Sequence, residues 1–397
     1  MTVKRIIAII LIFFLGVVAW VVLGEANWMR SQQTSASLSA SVESLWGSPI
    51  VQAAPTLTIK VPGTERTRFL SPSRNQIEAS IDLEQRRKGL LWYPTYTVNF
   101  RGRYEITNEA RIAQEIRLFF ALPSDKATYE NVVLKIGDRT ERLDTLIGYS
   151  FYRIIPLSPG GSETIEVIYQ TRGINSWTYL LNHRKGLVNG LDMIVKTNFT
   201  DVDFIDGSLS PMRVDARDDG LDIHWQAGEL ITRQNVGISM PQKLNPGPLA
   251  ARMSFFAPVC LLFFFVLITS ICVTRSIDIH PMHYLFVNAG FFAFNLLFAY
   301  TIDLINVHLA FAMSAIVSVA LVVSYLARAL GETFPWKIAA LGQLVYLVLF
   351  SYSFFLKGMT GLTVTIASIA TLAILMRITA QTDWSQVFVR RPREAQG

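Results

Sequence analysis

The chain has 397 residues, of which 51% are hydrophobic and only 17% charged, with a formal net charge of +6. Charged side chains make up about a quarter of an ordinary soluble domain, so this composition excludes a wholly soluble chain. Residues 24–252 hold 26 basic and 25 acidic side chains, so the basic excess sits around the apolar segments, where it reports membrane topology and gives no support to nucleic-acid binding.

Taken in chain order, the first apolar segment is 6–23, preceded by Lys4 and Arg5. Crossing the hydrocarbon core takes roughly 20 apolar residues, so residues 1–24 are predicted to form a transmembrane anchor with its amino end in the cytoplasm. Gly24-Glu25-Ala26 offers the small residues of a cleavage site, but the 18-residue apolar core exceeds the 7–15 of a signal peptide and favours an uncleaved anchor. Residues 25–45 form a helical or linker extension, rich in Ser, Ala and Gln over 31–44, which Trp46-Gly47-Ser48-Pro49 should stop.

Residues 46–250 alternate with a period of two. Tyr96, Val98, Phe100, Tyr104 and Ile106 interleave with Thr97, Asn99, Arg101, Arg103 and Glu105, which buries one face and wets the other. The pattern recurs at Ile116–Leu122, Val132–Ile136, Ile165–Tyr169, Met193–Thr197 and Leu221–Trp225, and Pro159-Gly160-Gly161, Asn189-Gly190, Asp206-Gly207 and Asp219-Gly220 supply turns. Short strands without helical periodicity predict a large all-β, sandwich-like domain, and its length leaves room for two stacked sub-domains. No internal repeat is visible.

Five further apolar segments, at about 255–273, 284–302, 304–327, 338–356 and 362–376, predict a five-helix transmembrane bundle over 251–378 and a basic cytoplasmic tail over 379–397. With these spans Lys4, Arg5, Arg275, Arg328, Lys337, Arg377, Arg390, Arg391 and Arg393 fall on the cytoplasmic side, and of the short outer turns only one carries a basic residue, Lys357. That bias predicts both ends inside and the β domain in the periplasm. The Arg390-Arg391-Pro392-Arg393 run suits an anionic leaflet. Cys260 and Cys272 both lie in the second span, which leaves the β domain free of disulfides.

Candidate chemistry is sparse. His224 alternates onto a wet strand face, and His183 has no cysteine or second histidine nearby in sequence, so neither reads as a zinc ligand. Residues 201–207, rich in Asp, lack calcium-loop spacing and read as a turn. Nucleophile-elbow, phosphate-loop and zinc-protease signatures are missing from the sequence, which yields no catalytic, cofactor-binding or metal residues and no cofactor. The candidate functional residues are polar ones in the third and fourth spans: Asn288, Asn295, Asp303 and His308, with Asn306 beside them. Such groups serve either as helix-to-helix glue or as a pathway, and Asp303 and His308 should flank a tight hairpin near the outer boundary.

Three segments resemble the CreD family of bacterial inner-membrane proteins. Trp46-Gly47-Ser48-Pro49-Ile50-Val51-Gln52-Ala53-Ala54-Pro55 is similar to a family segment with a tryptophan, a glutamine and a Gly-Pro step, Ala54 standing for the glycine. His280-Pro281-Met282-His283-Tyr284-Leu285 resembles a His-Pro-x-Gln-Tyr-x-Leu helix start, with His283 in place of glutamine. Thr382-Asp383-Trp384 is similar to the Asp-Trp that ends the family's last span, and Asp303 to His308 loosely echo a Ser-Glu-His stretch. The family-motif residues are therefore Trp46, Pro55, His280, Pro281, Tyr284, Asp383 and Trp384. Pro281 suits the first turn of a helix and His280 its cap.

The resemblance implies an envelope protein of the inner membrane without implying a reaction. The leading expectation is a non-enzymatic protein whose β domain binds, senses or scaffolds a periplasmic or envelope component while the helices contact the bilayer. A small-solute or ion transporter using the helical bundle is the second reading, and a membrane enzyme of envelope lipid or glycan metabolism the third. A transporter calls for water-accessible polar residues on facing helices, an enzyme for clustered carboxylates or histidines at one membrane face, and a scaffold for an apolar or aromatic patch on the β domain.

Overall fold

The computed structural model describes residues 3–380, apart from 62–65, 90, 144–148, 182–186, 276, 332–333 and 357. Two compact units divide the chain: residues 36–244, and residues 1–35 together with 245–397. Helix α1, Val3–Trp46, opens the chain.

Sixteen strands follow, beginning with β1 (Ile50–Ala53), β2 (Thr56–Lys60), β3 (Thr67–Leu70), β4 (Arg74–Lys88), β5 (Leu91–Thr107) and β6 (Gln114–Ala121). Next come β7 (Tyr129–Ile136), β8 (Arg139–Arg142), β9 (Ser150–Leu157), β10 (Ser162–Ile174) and β11 (Ser176–Leu180). The set closes with β12 (Leu187–Thr197), β13 (Asp203–Phe204), β14 (Arg213–Arg217), β15 (Gly220–Ile231) and β16 (Val236–Ser239). They form an eight-stranded sheet, β14-β15-β12-β4-β5-β10-β7-β8, and two four-stranded sheets, β1-β11-β16-β13 and β3-β2-β6-β9. Strand pairing is antiparallel except for β1 with β11 and β12 with β4.

The period-two pattern is the cause of this layering. In β5 the residues Val98, Phe100, Gly102, Tyr104 and Ile106 are buried while Asn99, Arg101 and Arg103 are exposed, because alternate side chains leave opposite faces of a strand. The inward faces of all three sheets meet in one apolar core that includes Leu57, Tyr96, Phe100, Leu118, Tyr169, Trp177, Trp225 and Ile238. The domain is thus a single sandwich-like unit and does not split into two stacked sub-domains. One continuous core leaves no solvated seam at which such a division could form.

In the other unit, α2 (Pro246–Thr274), α3 (Pro281–Thr301) and α4 (Val307–Ala329) are followed by an irregular fifth span. It begins with α5 (Trp336–Gln343), passes through a π-helical stretch at Leu344–Leu349 and short α6 (Phe350–Tyr352), and tightens to a 3₁₀ turn at Ser353–Phe355. Helix α7 (Thr360–Thr379) comes last. Among the described residues six helices are long and apolar enough to cross a membrane.

Residues 3–35 do more than tether. Trp20 of α1 is fully buried in the same core as Phe264, Phe291 and Phe294, so six helices share a core that the sequence expectation divided into an anchor and five. Gly16 and Gly24 make this approach possible. A Cβ on Gly16 would lie 2.4 Å from the Asn288 amide, and one on Gly24 would lie 2.7 Å from the Phe255 ring.

Candidate functional site

A row of contacts, most of them polar, joins α1 to α3 and the residues just before it. Arg5 pairs with Asp278 just before α3. Asn288 Nδ2 donates to the Ile12 carbonyl at 2.9 Å. The Trp20 and Phe292 rings stand 5.9 Å apart, and Arg30 Nη2 donates to the Ala299 carbonyl at 3.1 Å. Contacts climb both helices in the same order, so the two helices run parallel. On α1 the buried residues Gly16, Trp20, Leu23 and Asn27 recur at steps of four and three, the spacing of one helix face, and Arg30 continues that spacing.

The sequence-predicted residues take different places on this seam and beyond it. Asn288 is engaged with the α1 backbone, which satisfies an amide that lipid could not. Asn295 is buried two turns further along α3, and both of its amide heteroatoms lack a hydrogen-bond partner among the described residues. Asp303 forms an ion pair with Arg30 at 3.4 Å, and Arg30 also lies over the Tyr300 ring. His308 is elsewhere: its ring packs 4.9 Å from Phe355 and 6.1 Å from Tyr352. Asp303 and His308, which flank the α3–α4 turn, thus make separate contacts, one ionic and one aromatic. Asn306 serves as the cap of α4, its Oδ1 accepting from the His308 amide at 2.9 Å.

At the opposite end of α3, Pro281 occupies the first helical position and His280 Nδ1 accepts from the Met282 amide at 3.2 Å. His283 Nδ1 and the Tyr325 hydroxyl lie 2.9 Å apart, and the Tyr284 hydroxyl lies 2.8 Å from Thr269 Oγ1. A second buried node joins three helices. Ser318 Oγ donates to the Gly290 carbonyl at 2.7 Å, and Gln343 Nε2 donates to Ser318 Oγ at 3.1 Å, immediately before the π-helical stretch. The residues that sequence reasoning missed are Trp20, Asn27, Arg30, Ser318 and Gln343. For those on α1, the signal was the four-and-three spacing from Gly16.

In the β domain, family-motif residues serve the core. Trp46 stacks edge-on to Tyr93, with Arg86 over its ring. Pro55 is buried between β1 and β2. Gln52, fully buried, accepts from the Tyr169 hydroxyl at 2.6 Å and donates to the Ala121 carbonyl at 3.2 Å. The Tyr104 and Tyr179 hydroxyls lie 3.0 Å apart, and burial pushes both well above the usual tyrosine range, so they stay neutral. His224, expected to be solvated, is half-buried and lies 3.3 Å from Asp215, because β14 adds a charged row beside it. On the outer face of the large sheet, Glu166 is held by Lys135 at 3.2 Å and Arg103 at 3.1 Å, with Arg101 at 3.8 Å. Burial raises its carboxyl, but the bonds from Lys135 and Arg103 outweigh burial and leave it below the usual range. The outer face of the β6–β9 pair is different in kind: Phe119 and Tyr152 are direct cross-strand partners with Ile154 beside them, and they are 44%, 48% and 51% exposed.

Asp383 and Trp384, together with His183, Lys357 and Arg390 to Arg393, lie outside the described residues.

Residues 218–385 match the family model described as inner membrane protein CreD. Over that stretch the chain is similar to the CreD family. The CreD match takes in His280–Leu285, Asp303–His308 and Asp383-Trp384, and begins after the Trp46–Pro55 segment. With its six apolar helices, the CreD-like chain is a multi-pass inner-membrane envelope protein in contact with the lipid bilayer. No curated protein matches it. Among solved structures, a candidate nutrient binding protein from Legionella pneumophila is similar at 10% identity with a TM-score of 0.32, covering 55% of this chain and 76% of that one.

Proposed function

We propose that this chain is a non-enzymatic inner-membrane protein whose β domain lies in the periplasm and binds or scaffolds an envelope component. The observation that carries this reading is the Phe119–Tyr152–Ile154 group, a cluster of exposed apolar side chains on the β6–β9 pair. Exposed aromatic clusters of this sort serve recognition more often than folding, since burying them elsewhere in the domain would stabilise it more. The candidate residues Asn288, Asp303 and His308 each have a structural partner, which supports a holding role over a chemical one.

The test is a Phe119→Ser/Tyr152→Ser double variant of the full chain in a strain whose envelope phenotype depends on this protein. Unchanged abundance with loss of the phenotype is the expected result, and full complementation would remove the patch from the account. The second reading, solute passage through the helices, draws support from one observation: the unmatched polar atoms of Trp20, Asn27 and Asn295.

A further inference from the structure

Between the Trp20–Phe292 contact and the Arg30–Ala299 hydrogen bond, α1 and α3 run side by side for about two turns. Two asparagines fall in that interval, Asn27 on α1 and Asn295 on α3. Asn27 is 4% exposed and Asn295 2%. Asn27 Nδ2, both Asn295 amide heteroatoms and the indole Nε1 of fully buried Trp20 find no hydrogen-bond partner among the described residues. Three donors and one acceptor are thus left in one stretch of a bundle that lipid surrounds.

Unmatched groups at such depth are costly, and a polar cavity with several converging partners is where a structure holds water. The interval is closed at one end, where Trp20 packs on Phe292 and Asn288 fills the space above Gly16. It is polar at the other, where Arg30 meets Asp303 beside the exposed Leu304. We propose that Asn27 and Asn295 line a water-filled crevice between α1 and α3, floored by Trp20 and opening at the Arg30–Asp303 end. The crevice is independent of the β-domain reading and of whether any solute passes. It supplies the hydrogen bonds that the two asparagines lack, and it makes the α1–α3 contact solvent-linked in its outer turns and dry below.

The only two cysteines, Cys260 and Cys272, are buried and can be replaced by alanine to give a background for thiol labelling. In that background, full-length chains carrying Asn27→Cys, Asn295→Cys, Phe294→Cys or Leu304→Cys are treated with a charged, membrane-impermeant methanethiosulfonate in right-side-out and inverted vesicles. Asn27→Cys and Asn295→Cys should react within about tenfold of Leu304→Cys, from the same side of the membrane, while Phe294→Cys, in the apolar core, stays unlabelled. Asparagine positions as inert as Phe294→Cys in membranes where Leu304→Cys reacts would overturn the crevice, leaving a dry seam in which the amides stay unmatched. A second readout does not depend on the cysteine variants folding. Asn295→Leu in the otherwise unaltered chain should lower the thermal midpoint, because it strands the crevice water, whereas a dry orphaned amide predicts that the same change raises it.

Discussion

At the scale of single residues, Asp303 shows how a partner changes the reading of a charge. A carboxylate near the membrane boundary could titrate, but the guanidinium of Arg30, some 270 positions earlier, stands 3.4 Å away and is itself half-exposed. Pairs of that exposure contribute about 0.2–1 kcal/mol, so Asp303→Asn should leave membrane abundance near normal, and the Arg30→Asp/Asp303→Arg exchange should recover most of any small loss in a detergent thermal-shift assay. Failure of the exchange, with a large loss from either single change, would assign the carboxylate a role beyond pairing. Glu166 is the stronger case, being nearly buried beneath three cations. Its folded carboxyl lies below the ordinary value of about 4.3, so it contributes stability above that value, and the contribution is lost as pH falls through the shifted range. Glu166→Gln should cost about 1–3 kcal/mol at pH 7 and flatten the acid limb of the stability profile. An unchanged acid limb, measured by chemical denaturation at pH 3 to 7, would contradict this.

At the scale of elements, the two features to perturb are the glycine face of α1 and the node before the π-helical stretch. A side chain at Gly16 collides with the Asn288 amide, whose movement would break its bond to the Ile12 carbonyl. Gly16→Leu should therefore destabilise the detergent-solubilised protein by about 1–3 kcal/mol, while the same change at Gly358, where nothing crowds a Cβ, acts only through its positive φ. Ser318 links α3, α4 and α5 through two hydrogen bonds. Hydrogen bonds between membrane helices average about 0.6 kcal/mol with a maximum near 1.7, so Ser318→Ala should cost about 1 kcal/mol. Thermal midpoints of the two variants check both figures.

At the scale of the whole molecule, residues 36–244 form a compact unit with their own apolar core and no cysteine. Expressed alone, this segment should show a β-type circular dichroism spectrum and a cooperative melt that reducing agent leaves unchanged. Orientation is tested by fusion. A reporter active only in the periplasm should work after Thr200 and fail at Gly331 or Gly397, since nine basic residues flank the spans on the proposed cytoplasmic side and the short outer turns carry one. Activity at Gly397 would require a different number of crossings.

What the sequence determined by itself were the features with a local period. The alternation from Tyr96 to Ile106 dictates a strand with one buried face, the apolar runs dictate membrane helices, and Pro281 dictates where α3 begins, because each depends on residues only a few positions apart. The tertiary structure alone decided the rest. Strands β4 and β12 pair in parallel across more than a hundred residues, Gln52 meets Tyr169, and Arg30 meets Asp303. It also decided that α1 belongs to the same core as α2 and α3, which hydropathy could not reveal, since a lone anchor and a packed helix are equally apolar. The polar identity of Asn27 and Asn295 was legible as letters, but their burial with unmatched amide atoms was not: a hydrogen bond left unmade depends on which distant side chains the fold brings alongside, and no local pattern encodes that.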